Sequence, residues 1–193
     1  MTALTLARRM GLAMAGVTAL AATSALAQQK LLPEQSEIAF VSKQMGVPVE
    51  GKFKKFDAQV VFDPAKLDAS KVAFTVDTGS ATLGVRETDA ELPKAVWFNV
   101  PKFPQATFQS SAIKAVGAGK YEVAGKLSIK GASHDVVVPV TLTQGGANII
   151  AAGSFVIKRL AFKIGENEWA DTSMVADDVQ VKFKLALAGV PKP

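Results

Sequence analysis

Cysteine is absent from the 193 residues, which removes disulfides, thiolate metal sites and a thiol nucleophile together. Histidine is nearly absent. His134 stands alone, so a zinc site of three or four nitrogen and sulfur ligands cannot be assembled. A serine triad fares no better, because the neighbouring Asp135 points to the opposite face of a strand from His134 and cannot orient its ring. Placed after Lys130-Gly131-Ala132-Ser133, this histidine reads as an exposed turn residue. No glycine-rich phosphate loop is present, since Gly145-Gly146 lacks the lysine and the helix that such a loop needs. Carboxylates are scattered, and Asp177-Asp178, the closest pair, reads as the opening of a final strand rather than an acid/base couple. Basic residues form no cluster on one face, which argues against a nucleic-acid partner. Arginine is scarce too, and beyond residue 27 only Arg86 and Arg159 remain. Composition therefore offers no catalytic constellation and no metal site.

Long apolar runs are also lacking, with one exception at the start. Arg8 and Arg9 precede the apolar stretch from Met10 to Leu20, and Ala25-Leu26-Ala27 has the small-x-small form of a cleavage site. Residues 1–27 are read as a cleaved secretory signal, with the mature chain beginning at Gln28 and exported. Thr18, Thr23 and Ser24 interrupt the run before it reaches the roughly 20 apolar residues of a membrane span. Loss of the two leader arginines takes the formal net charge from +5 to +3. Residues 28–193 are enough for one domain with a substantial core.

What the chain does have is alternation. Tyr121, Val123, Gly125, Leu127 and Ile129 oppose Glu122, Ala124, Lys126, Ser128 and Lys130. The closing run repeats the pattern, with Val179, Val181, Phe183, Leu185 and Leu187 on one face. Shorter alternating runs occur at 38–41, 60–62, 72–76, 136–142 and 149–157, separated by turn signals at Asp63-Pro64, Gly117 to Gly119, Lys130-Gly131, Gln144-Gly145-Gly146 and Gly165-Glu166-Asn167. Short connections between alternating runs give antiparallel neighbours and an all-β meander. Runs of nine or ten residues favour an antiparallel up-and-down β-barrel of about eight strands over a sandwich, because closure removes exposed edges. One short helix is expected near 84–96, where Thr88 and Glu91 have capping-box spacing ahead of Pro93.

Aromatic residues are spread over most of these runs and concentrate in one segment. Trp97, Phe98, Phe103 and Phe108 fall within fourteen residues that also carry Pro101 and Pro104. An eight-stranded barrel is just wide enough to be filled by side chains or to hold one slender ligand. On that basis Phe40, Phe53, Phe62, Phe74, Trp97, Phe98, Phe103, Phe108, Phe155, Phe162 and Trp169 are the candidate lumen residues. Arg86 and Arg159 are candidates for a head-group clamp, since a guanidinium binds phosphate or carboxylate in a bidentate way and each stands beside an aromatic element.

The order of these pieces resembles the YceI-like family of periplasmic, lipocalin-like barrels associated with polyisoprenoid and other lipid binding. The resemblance is carried by Ser36-Glu37-Ile38-Ala39-Phe40, Gly51-Lys52-Phe53 with Phe56, Phe62-Asp63-Pro64, Trp97-Phe98, Phe103-Pro104 and Thr107-Phe108-Gln109-Ser110. It continues through Gly125 to Gly131, Arg159 to Phe162, Ile164-Gly165, Trp169 and Val175 to Leu187. Before the aromatic segment the chain reads Glu91-Leu92-Pro93, which is similar to one branch of that family. The resemblance implies a monomeric or homodimeric carrier or scavenger that holds a long-chain isoprenoid or fatty lipid non-covalently and performs no chemistry, with no cofactor otherwise. It implies, as an alternative, an accessory to a membrane lipid/quinone enzyme or cytochrome. A hydrolase with an unrecognised carboxylate pair is the remaining reading.

Overall fold

The structure, a computed structural model, describes residues 29–192. The expected leader at 1–27 and its cleavage after Ala27 lie outside the described residues. The chain folds into one rolled antiparallel sheet. Its strands are β1 (Lys30–Leu31), β2 (Glu37–Gln44), β3 (Val47–Phe53), β4 (Phe56–Val61), β5 (Lys71–Asp77), β6 (Ala81–Thr82), β7 (Gln105–Gly117), β8 (Lys120–Ile129), β9 (Ala132–Gly145), β10 (Asn148–Lys158) and β11 (Asp178–Ala188). The order around the sheet is β4-β5-β7-β8-β9-β10-β11-β2-β3-β6, with β1 pairing β11. Among the described residues there are nine strands of six residues or more and two of two residues, in keeping with the expected barrel of about eight.

Alternation built these strands as expected. Tyr121, Val123, Gly125 and Ile129 of β8 are buried while Glu122 and Lys126 are exposed, and β11 buries Leu185 and Leu187 on its inward face. The β8–β9 turn is the two residues Lys130-Gly131, both with positive φ (48° and 76°), the geometry that matches strand twist in a tight hairpin. The β2–β3 hairpin uses Met45-Gly46 in the same way (47° and 81°). Its signal is weak in sequence, because methionine seldom takes a left-handed conformation.

Closure is unusual. The two long edges, β3 and β4, do not ladder together; the chain itself joins them through Lys54-Lys55. Ser80 secures that corner, its carbonyl accepting from the Lys54 N–H (3.2 Å) and its hydroxyl from the Lys55 N–H (3.0 Å). On the other flank the Gln29 side chain bonds both the N–H and the carbonyl of Phe62 (2.7 Å each), while β1 pairs β11.

Two apolar clusters close the roll. Near the β7–β8 and β9–β10 turns, Leu31, Phe62, Tyr121, Leu142, Ile149 and Leu187 form a floor, with Phe62 edge-on to Tyr121 at 5.2 Å. At the other end the segments 78–104 and 159–177 fold over the opening, and Leu92, Phe98, Ile129, Ile157, Phe162 and Ile164 pack beneath them. The expected helix is a single turn, α1 (Arg86–Asp89), followed by turns to residue 103. The capping box does not form: Val85 precedes α1, and the Thr88 hydroxyl donates backward to the Val85 carbonyl at 2.9 Å. The α1 turn is instead held by Asp89, whose carboxylate accepts from the Thr82 hydroxyl (2.5 Å) and the Leu83 N–H (2.6 Å).

Candidate binding cavity

Between floor and cap the interior is hollow. A cavity of about 400 Å³ lies on the roll axis, lined by inward residues of the nine longer strands and by the cap. Its volume falls within the usual range of small-molecule sites. The wall is aromatic and aliphatic: Phe40, Phe53, Phe74, Phe108, Phe155 and Phe183 from the strands, Trp97, Phe98 and Trp169 from the cap, with Val123, Leu127, Val138, Val140, Val179 and Val181 between them. The six strand phenylalanines are only half-buried although strand parity turns them inward, so their exposed area opens onto the lumen. Trp97 and Trp169 stand against each other at 5.5 Å.

The lumen stays open because several rings lie flat over glycines instead of reaching across it. Phe40 and Gly51 are direct cross-strand partners, as are Phe183 and Gly153. A Cβ built on Gly51 would fall 2.3 Å from the Phe40 ring, one on Gly125 2.5 Å from Phe108, and one on Gly153 2.6 Å from Phe183. Each missing side chain provides a seat for a ring on the neighbouring strand.

Polar lining is confined to one place. Ser42 and Gln44 near the tip of β2, with Thr88 and Glu91 around α1, are joined only by Arg159. Thr88 and Glu91 are the exposed members of the lining, so the mouth lies at α1. Among the described residues no group of three or more histidine or acidic side chains is placed to hold a metal ion.

Eight of the eleven aromatic candidates border this cavity; Phe62, Phe103 and Phe162 do not. Phe62 points inward, but its place at the end of β4 puts it under the floor against Tyr121. Phe103 covers Gly131 from outside, where a Cβ would approach its ring to 2.9 Å, and Lys102 stands 5.4 Å from the ring centre. Phe162 belongs to a short 3-10 turn and packs edge-on to His134 at 4.9 Å. His134 itself lies within β9, exposed as expected but on a strand rather than in the turn, with Nε2 3.0 Å from the Ala161 carbonyl oxygen. Phe183, absent from the candidates, shares its face with Val181 and Leu185, so strand parity alone would have found it.

The arginines are corrected more sharply. Arg86 is exposed at the start of α1 and does not border the cavity. Arg159 does border it but has nothing left to give. It is 1% exposed, and its five N–H groups are all taken. Nε donates to the Ala176 carbonyl (3.1 Å), Nη1 to Ile164 and Gly165 (2.8 Å each), and Nη2 to Trp169 (2.6 Å) and Val175 (2.7 Å). A guanidinium carries five donors and no acceptor, so no phosphate or carboxylate can be clamped here. Burial draws its pKa down and nearby Asp177 opposes the shift, yet arginine keeps its charge in proteins. Arg159 is the hub around which segment 164–176 is wound.

Lys130 performs a similar task from the β8–β9 turn. Its buried Nζ donates to the Lys163 carbonyl (2.5 Å), the Val96 carbonyl (3.3 Å) and the Glu166 carboxylate (3.0 Å), tying both cap segments to the barrel. Sequence gave no hint of this, since a lysine beside a turn glycine reads as solvated.

The domain family described as YceI-like matches residues 30–187. The chain belongs to the YceI-like family. The crystal structure of Burkholderia cenocepacia BcnA is similar to it with a TM-score of 0.78 and 49% identity, covering 82% of this chain and 99% of that one. A YceI protein of Salmonella arizonae is 33% identical over 127 residues, and a UPF0312 protein of Azotobacter vinelandii is 33% identical over the same length. Each alignment covers 64% of this chain and 66% of the relative, so the chain spans just under two thirds of the length of these curated YceI relatives. A structure from Saccharophagus degradans, described as a polyisoprenoid binding domain implicated in plant cell wall breakdown, shares the YceI fold with a TM-score of 0.68 at 15% identity, over 85% of this chain and 99% of that one.

Proposed function

We propose that this protein is an exported carrier that holds a long-chain isoprenoid or similar amphiphilic lipid in its lumen without altering it. The observation that carries this reading is a hollow, ring-lined cavity whose polar groups sit at one end only. An apolar chain would lie along the wall while its polar terminus stays near Ser42, Gln44 and Thr88. About ten buried methylenes contribute roughly 8 kcal/mol at ~0.8 kcal/mol each, which corresponds to micromolar affinity before the cost of ordering the chain. No reaction is needed for retention. A structure of the same fold that is named a polyisoprenoid binding domain supports the ligand class, and the signal pattern at 1–27 supports export.

The test is native mass spectrometry and lipid extraction of the protein purified from its own host. One prenyl or fatty chain per protein is expected. Protein that is consistently empty, and that also takes up no prenyl alcohol in solution, overturns the reading.

A further inference from the structure

Eight large apolar side chains are exposed among the described residues, and four of them stand around the cavity mouth: Met45 (72% exposed), Val47 (63%), Val85 (52%) and Met174 (44%). Their clustering is built, not incidental. The Met45 N–H donates to the Met174 carbonyl at 2.9 Å, the Ala176 N–H donates to the Lys43 carbonyl at 2.9 Å, and Gln44 bridges Val175. These bonds tie the β2–β3 tip to the 171–175 turn and set the two methionines side by side. Val85 leads into α1, whose Thr88 marks the mouth. Each member of this rim stands close to a residue of the cavity wall: Met45 follows Gln44, Val47 is the cross-strand partner of Gln44, Met174 precedes Val175, and Val85 lies two residues beyond Leu83. The exposed apolar side chains thus surround a mouth whose own lining carries the polar groups of Ser42, Gln44, Thr88 and Glu91.

We infer that this rim docks the mouth against a lipid bilayer, so that a chain passes between membrane and lumen without crossing water. The proposal rests on the carrier reading above. A protein partner fits the rim poorly, because a stable protein interface takes roughly 20 to 30 residues a side, whereas the rim offers four apolar side chains. A bilayer asks for less, since a few apolar side chains inserted at the headgroup boundary give reversible attachment. The adjacent charges mix signs, with Lys43 and Arg86 against Glu87 and Glu91. Docking should thus show little preference for anionic lipid and little dependence on salt.

The experiment compares the full protein with the double variant Met45→Asp/Met174→Asp; neither residue lines the cavity, and aspartate tolerates the left-handed conformation of position 45. One measurement is the rate at which a fluorescent prenyl alcohol leaves phosphatidylcholine vesicles for the protein. The other is equilibrium binding of the same probe added in solution. The variant should transfer about tenfold more slowly or worse, as the loss of two apolar anchors implies, with unchanged solution affinity and unchanged melting. Equal transfer rates overturn the rim, and so does a matching fall in solution affinity. If neither protein takes the probe by any route, the carrier reading fails instead, and co-sedimentation with the vesicles still decides the rim: equal pelleting of both proteins overturns it.

Discussion

Replacing Arg159 with lysine keeps the charge and discards the fork. Lysine has three donors on a single nitrogen where arginine has five spread over a plane, so at least two of the five carbonyls now held by Arg159 lose their partner. A buried acceptor left unpaired costs about 1 to 3 kcal/mol, which puts the loss at roughly 2 to 6 kcal/mol. The lower half of that range applies if water reaches the Trp169 and Ala176 carbonyls, whose residues are only half-buried. For a domain of this size each kcal/mol moves the melting temperature by about 2 to 4 °C, so a loss of ~4 kcal/mol lowers it by roughly 8 to 16 °C. Thermal unfolding followed by far-ultraviolet circular dichroism reads this directly. A head-group clamp would behave in the opposite way, with binding lost and melting unchanged. A variant that melts within about 2 °C of the parent refutes the hub assignment.

Gly51→Ala forces the Phe40 ring off its seat and into the lumen, since the added carbon falls 2.3 Å from the ring and 2.8 Å from Leu83. A stability loss of about 1 to 3 kcal/mol, typical of overpacking, should come with weaker uptake of a prenyl probe, and Gly51→Ala/Phe40→Ala should regain uptake. Hydrogen bonds from Thr82 and then from the Leu83 N–H hold the Asp89 carboxyl below the usual carboxylate range. A depressed carboxyl contributes stability above its unfolded pKa and loses it as pH falls through the folded value, so α1 should loosen below about pH 4. Hydrogen exchange of residues 82–92 should rise there, and Asp89→Asn should abolish that pH dependence.

The strands were readable because burial on one side writes itself as parity. In β8 and β11 every second residue faces inward, and the turn Lys130-Gly131 carries a glycine at its second positive-φ position. The strand β3 was harder, because Pro48 and Gly51 look like breaks. They are tolerated there because β3 has a partner on its far side only at Lys52 and Phe53, and because Gly51 seats a ring. Parity also says which side a ring faces but not how far along the axis it lies, which is why Phe62 counted as lumen and sits in the floor. Arg159 was legible as unusual and illegible in role, since its partners are carbonyls of an irregular segment that no side-chain pattern announces.

That bonding has a consequence for how the cavity could be recut. Ile164, Trp169 and Val175 each offer Arg159 a carbonyl and offer the lumen a side chain. Anchorage is written in the main chain and ligand fit in the side chains of the same three residues. Their identities can change, by drift or by design, while the path of the segment persists, so ligand preference is adjustable here at the cost of side-chain packing alone and not of the segment's main-chain anchorage.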